Sequence, residues 1–234
     1  MSSKFNNVRA NIKLCIVGDS GIGKTSFCNR YIKNEFRDDY QATINPTFSY
    51  KIFNYNNYNY KINIWDIAGQ DRNIYISKVF TKDAHGILVL CDATNPNTID
   101  KALKWKTTID ENSKFLDGSL LPAALVMNKM DLVNVEDQSY PKKENLEEVA
   151  SSNNFVFSAQ ISCKTGDGVD DTMENLLRYI IDKYEEHMKN LGVNVEELKL
   201  RGSIVKLTEK SPETGALSTF QVNNLLSKCC WGKQ

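Results

Sequence analysis

The chain has 234 residues, enough for one ordinary domain and an additional segment. Hydrophobic residues make up 41% and charged residues 25%, which is typical of globular proteins, and Lys plus Arg equals Asp plus Glu at 29 each. This zero balance gives no general electrostatic reason to bind nucleic acid. The longest apolar runs are too short to span a bilayer, and the first residues lack the apolar core of a secretion signal.

Short apolar runs alternate with segments of helical periodicity, which favours an α/β fold built on a mostly parallel sheet. Six strands are predicted, at 12–17, 47–54, 62–65, 87–91, 124–127 and 156–161. Asn56 and Asn57 indicate a hairpin between the second and third strands, so that pair is expected to be antiparallel. A turn at 95–98 precedes one helix, and apolar residues at three- and four-residue spacing predict a last helix over 170–186.

Three segments are predicted along the chain: an N-terminal extension at 1–9, one domain at 10–188 and a flexible C-terminal tail at 189–234. The periodicity fades beyond about residue 188, where Gly, Pro, Ser and Thr become frequent, with at most a weak helix near 195–200. Cys15, Cys28, Cys91 and Cys163 are scattered, so we expect reduced, half-buried thiols. With only His85 and His187, neither a His-rich metal site nor a His-centred triad is expected.

The run Gly-Asp-Ser-Gly-Ile-Gly-Lys-Thr from Gly18 to Thr25 follows the first strand and precedes a helix. Its glycines let successive backbone N–H groups surround a phosphate, Lys24 supplies a positive charge, and the Thr25 hydroxyl suits Mg²⁺. A plain glycine-rich turn is the alternative interpretation. The predicted phosphate-binding residues are Ser20, Gly21, Ile22, Gly23, Lys24, Thr25 and Ser26. A phosphate site by itself does not separate ATPases, kinases and GTPases.

Asn128-Lys129-Met130-Asp131 follows a buried strand, where open α/β sheets bind ligands. The Asp131 carboxylate can accept hydrogen bonds from N1–H and the 2-amino group of guanine, whereas adenine presents an acceptor at N1. The Lys129 stem can cover the base, and Ser162-Cys163-Lys164 can place a backbone N–H near the guanine oxygen. Alone, this tetrapeptide would be an ordinary solvated loop, but downstream of a phosphate loop it indicates guanine recognition.

Asp66-Ile67-Ala68-Gly69-Gln70 follows the third strand and suits a second set of phosphate contacts. Asp66 fits an outer contact to Mg²⁺, Gly69 allows its N–H to approach a γ-phosphate, and Gln70 can orient an attacking water. Thr43, between the first helix and the second strand, can close on Mg²⁺ through its hydroxyl. The joint order of these motifs along the chain is highly specific.

Over about residues 10–187 these motifs resemble the small Ras-like GTPases, a branch of the P-loop NTPases, and most closely the Rab group. The resemblance implies a G domain with Mg²⁺ as cofactor, Thr25, Thr43 and Asp66 at the metal, Gln70 as the catalytic residue, and Phe36 edge-on to the guanine. It also implies exchange factors, GTPase-activating proteins, dissociation inhibitors or escort proteins, and effectors in vesicle trafficking. Ile67 and the run 103–106 are similar to the Rab branch linked to lysosome-related organelles.

Asn45-Pro46-Thr47 departs from the glycine-containing Rab pattern after the switch Thr-Ile, and Pro46 removes a backbone donor. This departure motivates a second hypothesis, a GTP-bound scaffold with negligible hydrolysis, although Gln70 argues against it. A P-loop kinase of small molecules is a third. The polar and aromatic run at 54–60 is interpreted as compositional bias rather than a site.

Cys229 and Cys230 lie four residues before the end of the chain, and the single-cysteine C-a-a-X signal is absent because position 231 is Trp. The pair resembles the double geranylgeranyl site of Rabs, although more residues follow it than usual. Two lipids anchor a protein stably where one is marginal. We therefore expect the protein on the cytosolic face of an intracellular membrane, with a cytosolic pool, and an unmodified thiol pair is the alternative.

Overall fold

The computed structural model describes residues 8–39, 43, 45–69, 79–133 and 143–192. Its six strands are β1 (Val8–Gly18), β2 (Thr47–Tyr55), β3 (Tyr58–Asp66), β4 (Gly86–Asp92), β5 (Ala123–Asn128) and β6 (Phe157–Gln160). The helices with described bounds are α1 (Lys24–Lys33), α2 (Asn97–Asn112), α3 (Lys143–Ser152) and α4 (Val169–Asn190). A short 3₁₀ helix spans Met130–Leu132.

The strands form one sheet in the order β2-β3-β1-β4-β5-β6. Only the edge pair β2 and β3 is antiparallel, with Lys51 opposite Ile62, and the other pairs are parallel. The predicted six-stranded, mostly parallel sheet with one antiparallel edge strand is therefore confirmed. Asn56 and Asn57 both adopt positive φ in the hairpin turn, as a tight connection between twisted strands requires.

Helices cover both faces of the sheet. Every residue of β4 and β5 is buried, which requires cover on both sides. α1 packs on β1 and β3 and against α4, α2 packs on β4 and β1, and α3 packs on β6 and β5. α4 comes so close to β4 that a Cβ on Gly86 would lie 2.2 Å from Cδ1 of Ile180.

Several elements extend beyond their predicted bounds. β1 begins at Val8, inside the segment 1–9 that the sequence pattern assigns to an N-terminal extension, because Val8 to Lys13 pair with β3. α4 runs from Val169 to Asn190 and is longer than predicted at both ends. The polar helix α3 carries no strong sequence signal and was not predicted. The weak helix expected near 195–200 lies outside the described residues.

The four cysteines expected to be reduced are free thiols. They are fully buried rather than half-buried, because β1, β4, α1 and the loop after β6 all face the core. Within the described ranges, no helix is long and apolar enough to cross a membrane.

Candidate functional site

The loops that follow β1, β3, β5 and β6 meet at the carboxyl edge of the sheet and enclose a cavity of about 520 Å³. Most of the predicted site residues line it: Ser20, Gly21, Gly23, Lys24, Thr25, Ser26, Phe36, Thr43, Gly69, Asn128, Lys129, Asp131, Cys163 and Lys164. Ile22 does not line it, because its side chain is buried in the core. Gln70, Cys229 and Cys230 lie outside the described residues.

The loop from Gly18 to Gly23 depends on glycine at defined points. Gly18, Gly21 and Gly23 have φ values of +135°, +74° and +98°, which side chains rarely tolerate. A Cβ on Gly23 would also lie 2.3 Å from Nδ2 of Asn128. The loop therefore presents its backbone to the cavity and stays in contact with the segment after β5.

Lys24 opens α1 directly after this loop, and its side chain is buried. Its Nζ donates to the carbonyl oxygen of Asp19 at 2.5 Å. Burial lowers the pKa of Lys24 to about 8, while Asp66 and Asp19 oppose the shift. A buried cation beside a glycine loop and a helix N-terminus is suited to bind phosphate.

Gly69 closes over this cation from the segment after β3. A Cβ at Gly69 would lie 2.2 Å from Nζ of Lys24 and 2.4 Å from the carbonyl oxygen of Asp19. Only glycine therefore permits this approach without a shift of the loop. The structure places Gly69 at the same end of the cavity as the phosphate loop.

Three oxygen-bearing side chains converge beside Lys24. The Thr25 hydroxyl donates to Oδ2 of Asp66 at 2.5 Å, and its oxygen lies 2.8 Å from the Thr43 hydroxyl oxygen. Oδ1 of Asp66 is buried and has no hydrogen-bond partner within the described part of the chain. Burial raises the pKa of the Asp66 carboxyl, opposed by the Thr25 hydrogen bond and the Lys24 charge. Hydroxyl and carboxylate oxygens with an unused buried lone pair fit Mg²⁺.

This oxygen set differs from a His- or Cys-based centre. No group of three or more His, Cys, Asp or Glu residues is placed to hold a metal in the ranges that the structure covers. His85 is buried against Phe115 and Tyr184, away from the cavity lining.

The opposite end of the cavity is formed by the segments after β5 and β6. Asp131 lies in the short 3₁₀ helix, where its Oδ1 accepts a hydrogen bond from the Ser162 hydroxyl at 2.6 Å. Lys129 adopts φ +70°, and its Nζ lies 2.5 Å from Oδ2 of Asp92 at the end of β4. Ser162 thus supports Asp131 without lining the cavity itself.

Asn128 ties the two ends of the cavity together. Its Nδ2 donates to the carbonyl oxygen of Ile22 at 2.8 Å, and its Oδ1 accepts from the N–H of Cys163 at 3.0 Å. The Asn128 side chain is therefore occupied by the protein itself. The Cys163 N–H is also occupied, so a contact to a base from Ser162-Cys163-Lys164 would require another backbone N–H of that segment.

Two residues at the site escaped the sequence analysis. Asp19 in the phosphate loop forms an ion pair of 2.6 Å with Lys101 of α2. Arg30 of α1 donates to backbone carbonyl groups of the segment after β6. Asp19 occupies an unspecified position of the phosphate-loop motif, Arg30 belongs to no motif, and no local pattern connects either residue with its partner. Asp92 had a weak signal, since it ends a buried strand next to the base segment.

Comparison with known proteins places these features in context. The Ras family model matches residues 13–182. The Ras-related protein Rab-32 of Mus musculus is 30% identical over 203 residues, covering 86% of each chain. The Ras-related protein Rab-7L1 of Homo sapiens is 26% identical over 200 residues, which is 85% of this chain and 93% of that protein. Rab-32C of Dictyostelium discoideum is 29% identical over 187 residues, 80% of this chain and 81% of the relative.

Proposed function

Because the chain belongs to the Ras family and is a Rab-type small GTPase of the branch that includes Rab-32 and Rab-7L1, we propose that it alternates between a GTP-bound and a GDP-bound state, with the nucleotide and Mg²⁺ bound in the cavity. The protein hydrolyses GTP to GDP and phosphate and acts as a switch in membrane trafficking. One observation carries the assignment of the site. Lys24, Thr25, Thr43 and Asp131 all line a single cavity, and Asp66, which does not line it, accepts a hydrogen bond from the Thr25 hydroxyl.

The phosphates would lie on the loop from Gly18 to Gly23. Backbone N–H groups and the α1 N-terminus would surround the β-phosphate, with Lys24 between the β- and γ-phosphates. Gly69 approaches Lys24 from the other side, so its N–H would meet the γ-phosphate. Loss of the γ-phosphate removes the partner that holds Gly69 and Thr43 closed, which is the physical basis of switching.

The oxygen set beside Lys24 would hold Mg²⁺, with Thr25 and Thr43 as ligands and Asp66 in an outer contact. The bound ion supplies neutralising charge for the phosphate oxygens. Thr25 and Thr43 are already within hydrogen-bond distance of each other, so their hydroxyl groups would need to move only slightly to bind one Mg²⁺ ion together. The unpartnered Oδ1 of Asp66 supports this role, since a buried carboxylate oxygen requires a partner.

The base would lie between Phe36, the Lys129 stem and Asp131. Phe36 lies at the rim of the cavity and packs partly against the core. Ser162 binds one oxygen of Asp131, which orients the carboxylate. Guanine can donate two hydrogen bonds to that carboxylate and adenine cannot, so the site selects GTP over ATP.

Hydrolysis would be slow in the isolated protein. Gln70 would orient the attacking water, and an arginine from a partner would stabilise the charge of the transition state. An activating protein would complete the site, as the family implies. Exchange factors, dissociation inhibitors or escort proteins, and effectors would be the other partners.

Single-turnover hydrolysis tests the catalytic role of Gln70. Load the protein and Gln70→Leu with GTP and Mg²⁺, and follow conversion to GDP by chromatography. We expect slow conversion that falls at least tenfold in the variant, because the water loses its orienting group. Unchanged GDP affinity of Gln70→Leu is the control for an intact site. Equal and measurable conversion in both proteins would contradict the role of Gln70. Negligible conversion in both, with GTP still tightly bound, would leave either a site that depends wholly on an activating partner or the GTP-bound scaffold.

Cys229 and Cys230 would carry two prenyl groups and hold the protein on the cytosolic face of an intracellular membrane, as the family supports. Organelles of the lysosome-related class are the proposed location. Mass spectrometry of the protein from its own cells tests the anchor. A membrane fraction that contains only unlipidated C-terminal peptide would contradict it.

A further inference from the structure

Arg30 of α1 connects that helix to the segment after β6. Its Nε donates to the Cys163 carbonyl oxygen at 2.9 Å, and Nη2 donates to the Lys164 carbonyl oxygen at 2.6 Å. Nη1 donates to the carbonyl oxygen and to Oδ1 of Asn34, at 3.0 and 2.9 Å. The guanidinium thus binds two consecutive carbonyl groups of the loop while the end of α1 holds it in place.

The contact uses properties that only arginine has. A guanidinium presents its donors in a rigid planar fork, whereas an ammonium is a point donor on a flexible stem. Gly166 of the same loop has φ +96°, and a Cβ there would lie 3.6 Å from Cδ of Arg30. The loop therefore packs on the arginine stem as well as on its polar end.

The hydrogen bonds of the loop leave one backbone donor available. The N–H groups of Ser162, Cys163, Thr165 and Gly166 donate to Asp167, Asn128 and Ser162. In the segments that the structure covers, the N–H of Lys164 donates to no protein acceptor, and Lys164 lines the cavity. A cavity-lining N–H without a protein partner is suited to bind a ligand acceptor.

The Lys164 N–H belongs to the same peptide group as the Cys163 carbonyl. That group is planar and trans, so its N–H and C=O point in opposite directions. By holding the carbonyl oxygen, Arg30 fixes the direction of the N–H. A cation on the carbonyl oxygen also polarises the peptide group and strengthens its N–H as a donor.

We propose that Arg30 is a positioning residue for guanine recognition: it holds the peptide group between Cys163 and Lys164 so that the Lys164 N–H donates to the 6-oxo oxygen of the base. This inference rests on the proposed function. Arg30 lies on the helix that opens with Lys24 and Thr25, so one rigid element aligns the phosphate and base ends of the site. Arg30 itself does not line the cavity.

The test compares two nucleotides that differ at one acceptor. GDP and 6-thioguanosine diphosphate share N1–H and the 2-amino group, but sulfur is a weak acceptor. Measure their affinities by competition with labelled GDP, in Mg²⁺ and a reducing agent, for the natural protein, Arg30→Met, Arg30→Lys and Arg178→Met. Arg178 is an exposed arginine on α4 that pairs with Glu174, which makes it a matched control.

We expect Arg30→Met to weaken GDP binding about fivefold to tenfold, which is the effect of losing about one hydrogen bond. The same variant should weaken binding of 6-thioguanosine diphosphate less than twofold. Arg30→Lys should give an intermediate loss for GDP, and it keeps the test valid if Arg30→Met folds poorly. Arg178→Met should bind both nucleotides as the natural protein does.

Equal losses for both nucleotides in the Arg30 variants would overturn the inference, because a merely structural role would not distinguish the acceptor at position 6. Unchanged binding of GDP would overturn it as well. Failure of the natural protein to prefer GDP over the thio analogue would have a different meaning. It would contradict the proposed contact to the base oxygen itself, and the role of Arg30 with it.

Discussion

Burial sets the protonation state of His85 at the residue scale. His85 precedes β4 and is 2% exposed, and its Nδ1 accepts the N–H of Lys13 at 3.1 Å. Phe115 and Tyr184 pack against the ring. Burial lowers its pKa to about 4, and the Lys13 charge adds to the shift. The folded protein therefore requires neutral histidine, whereas the unfolded chain binds a proton near pH 6.5.

Stability should consequently fall in acid. Because the folded pKa lies below the unfolded one, the unfolded state gains protons first as the pH falls from about 6.5 towards 4. We expect His85 to remove about 2 kcal/mol of unfolding free energy between pH 7 and pH 5. Urea unfolding of His85→Gln at both pH values should show a smaller drop by that amount. His187→Gln is the control, and an identical drop in the natural protein and His85→Gln would contradict the expectation.

At the element scale, charged and aromatic side chains fasten the β2–β3 hairpin to the C-terminal helix. Arg9 of β1 donates two hydrogen bonds of 2.6 Å to Glu185 of α4, and the Tyr60 hydroxyl donates to the same carboxylate at 2.8 Å. The Arg9 guanidinium also lies 3.8 Å from the ring centre of Tyr58. The run at 54–60, interpreted as compositional bias, therefore supplies structural contacts between β3 and α4.

Removing the shared acceptor should destabilise the fold. Glu185→Gln leaves the half-buried Arg9 without its counter-charge, so we expect a loss of roughly 1–2 kcal/mol in the free energy of unfolding measured with urea. Glu174→Gln breaks an exposed pair with Arg178 and should leave the free energy of unfolding almost unchanged, because solvent screens surface ion pairs. Equal effects of the two substitutions would show that the Arg9 contact adds nothing beyond a surface pair.

At the scale of the whole molecule, the described globular part ends with α4, whose last turn is closed by hydrogen bonds from Leu191 and Gly192 to His187 and Lys189. All the described residues that line the cavity precede that point. Binding and membrane attachment are therefore expected to be separable along the chain.

A chain truncated after Gly192 should bind GDP within twofold of the full chain and disappear from the membrane fraction of its own cells. The full chain with Cys229→Ser and Cys230→Ser is the matched control and should also become cytosolic. Nucleotide affinity is measured by competition, and location by fractionation. Persistence of the truncated chain on membranes would place the anchor elsewhere.

Much of this protein followed from local sequence. All six strands were predicted from local sequence. The signals of β4 and β5 were the clearest, because residues buried on both faces of a sheet leave a continuous apolar run. The phosphate loop was readable because its glycines, lysine and threonine act within eight consecutive residues. The ends of several elements were misjudged, and the polar helix α3 was not predicted. Strand pairing and helix packing at the edge of the sheet leave little pattern in the sequence.

The amino-acid order alone predicted which segments would carry phosphate and base chemistry, because those motifs are contiguous and each follows a predicted strand. Only the tertiary structure decided how they meet. Thr25 contacts Thr43 and Asp66 across 18 and 41 residues, and Arg30 contacts Cys163 across 133. These contacts depend on the strand order that places β3 beside β1 and β6 at the far edge. That order is set by long-range pairing and helix packing, which no local pattern encodes.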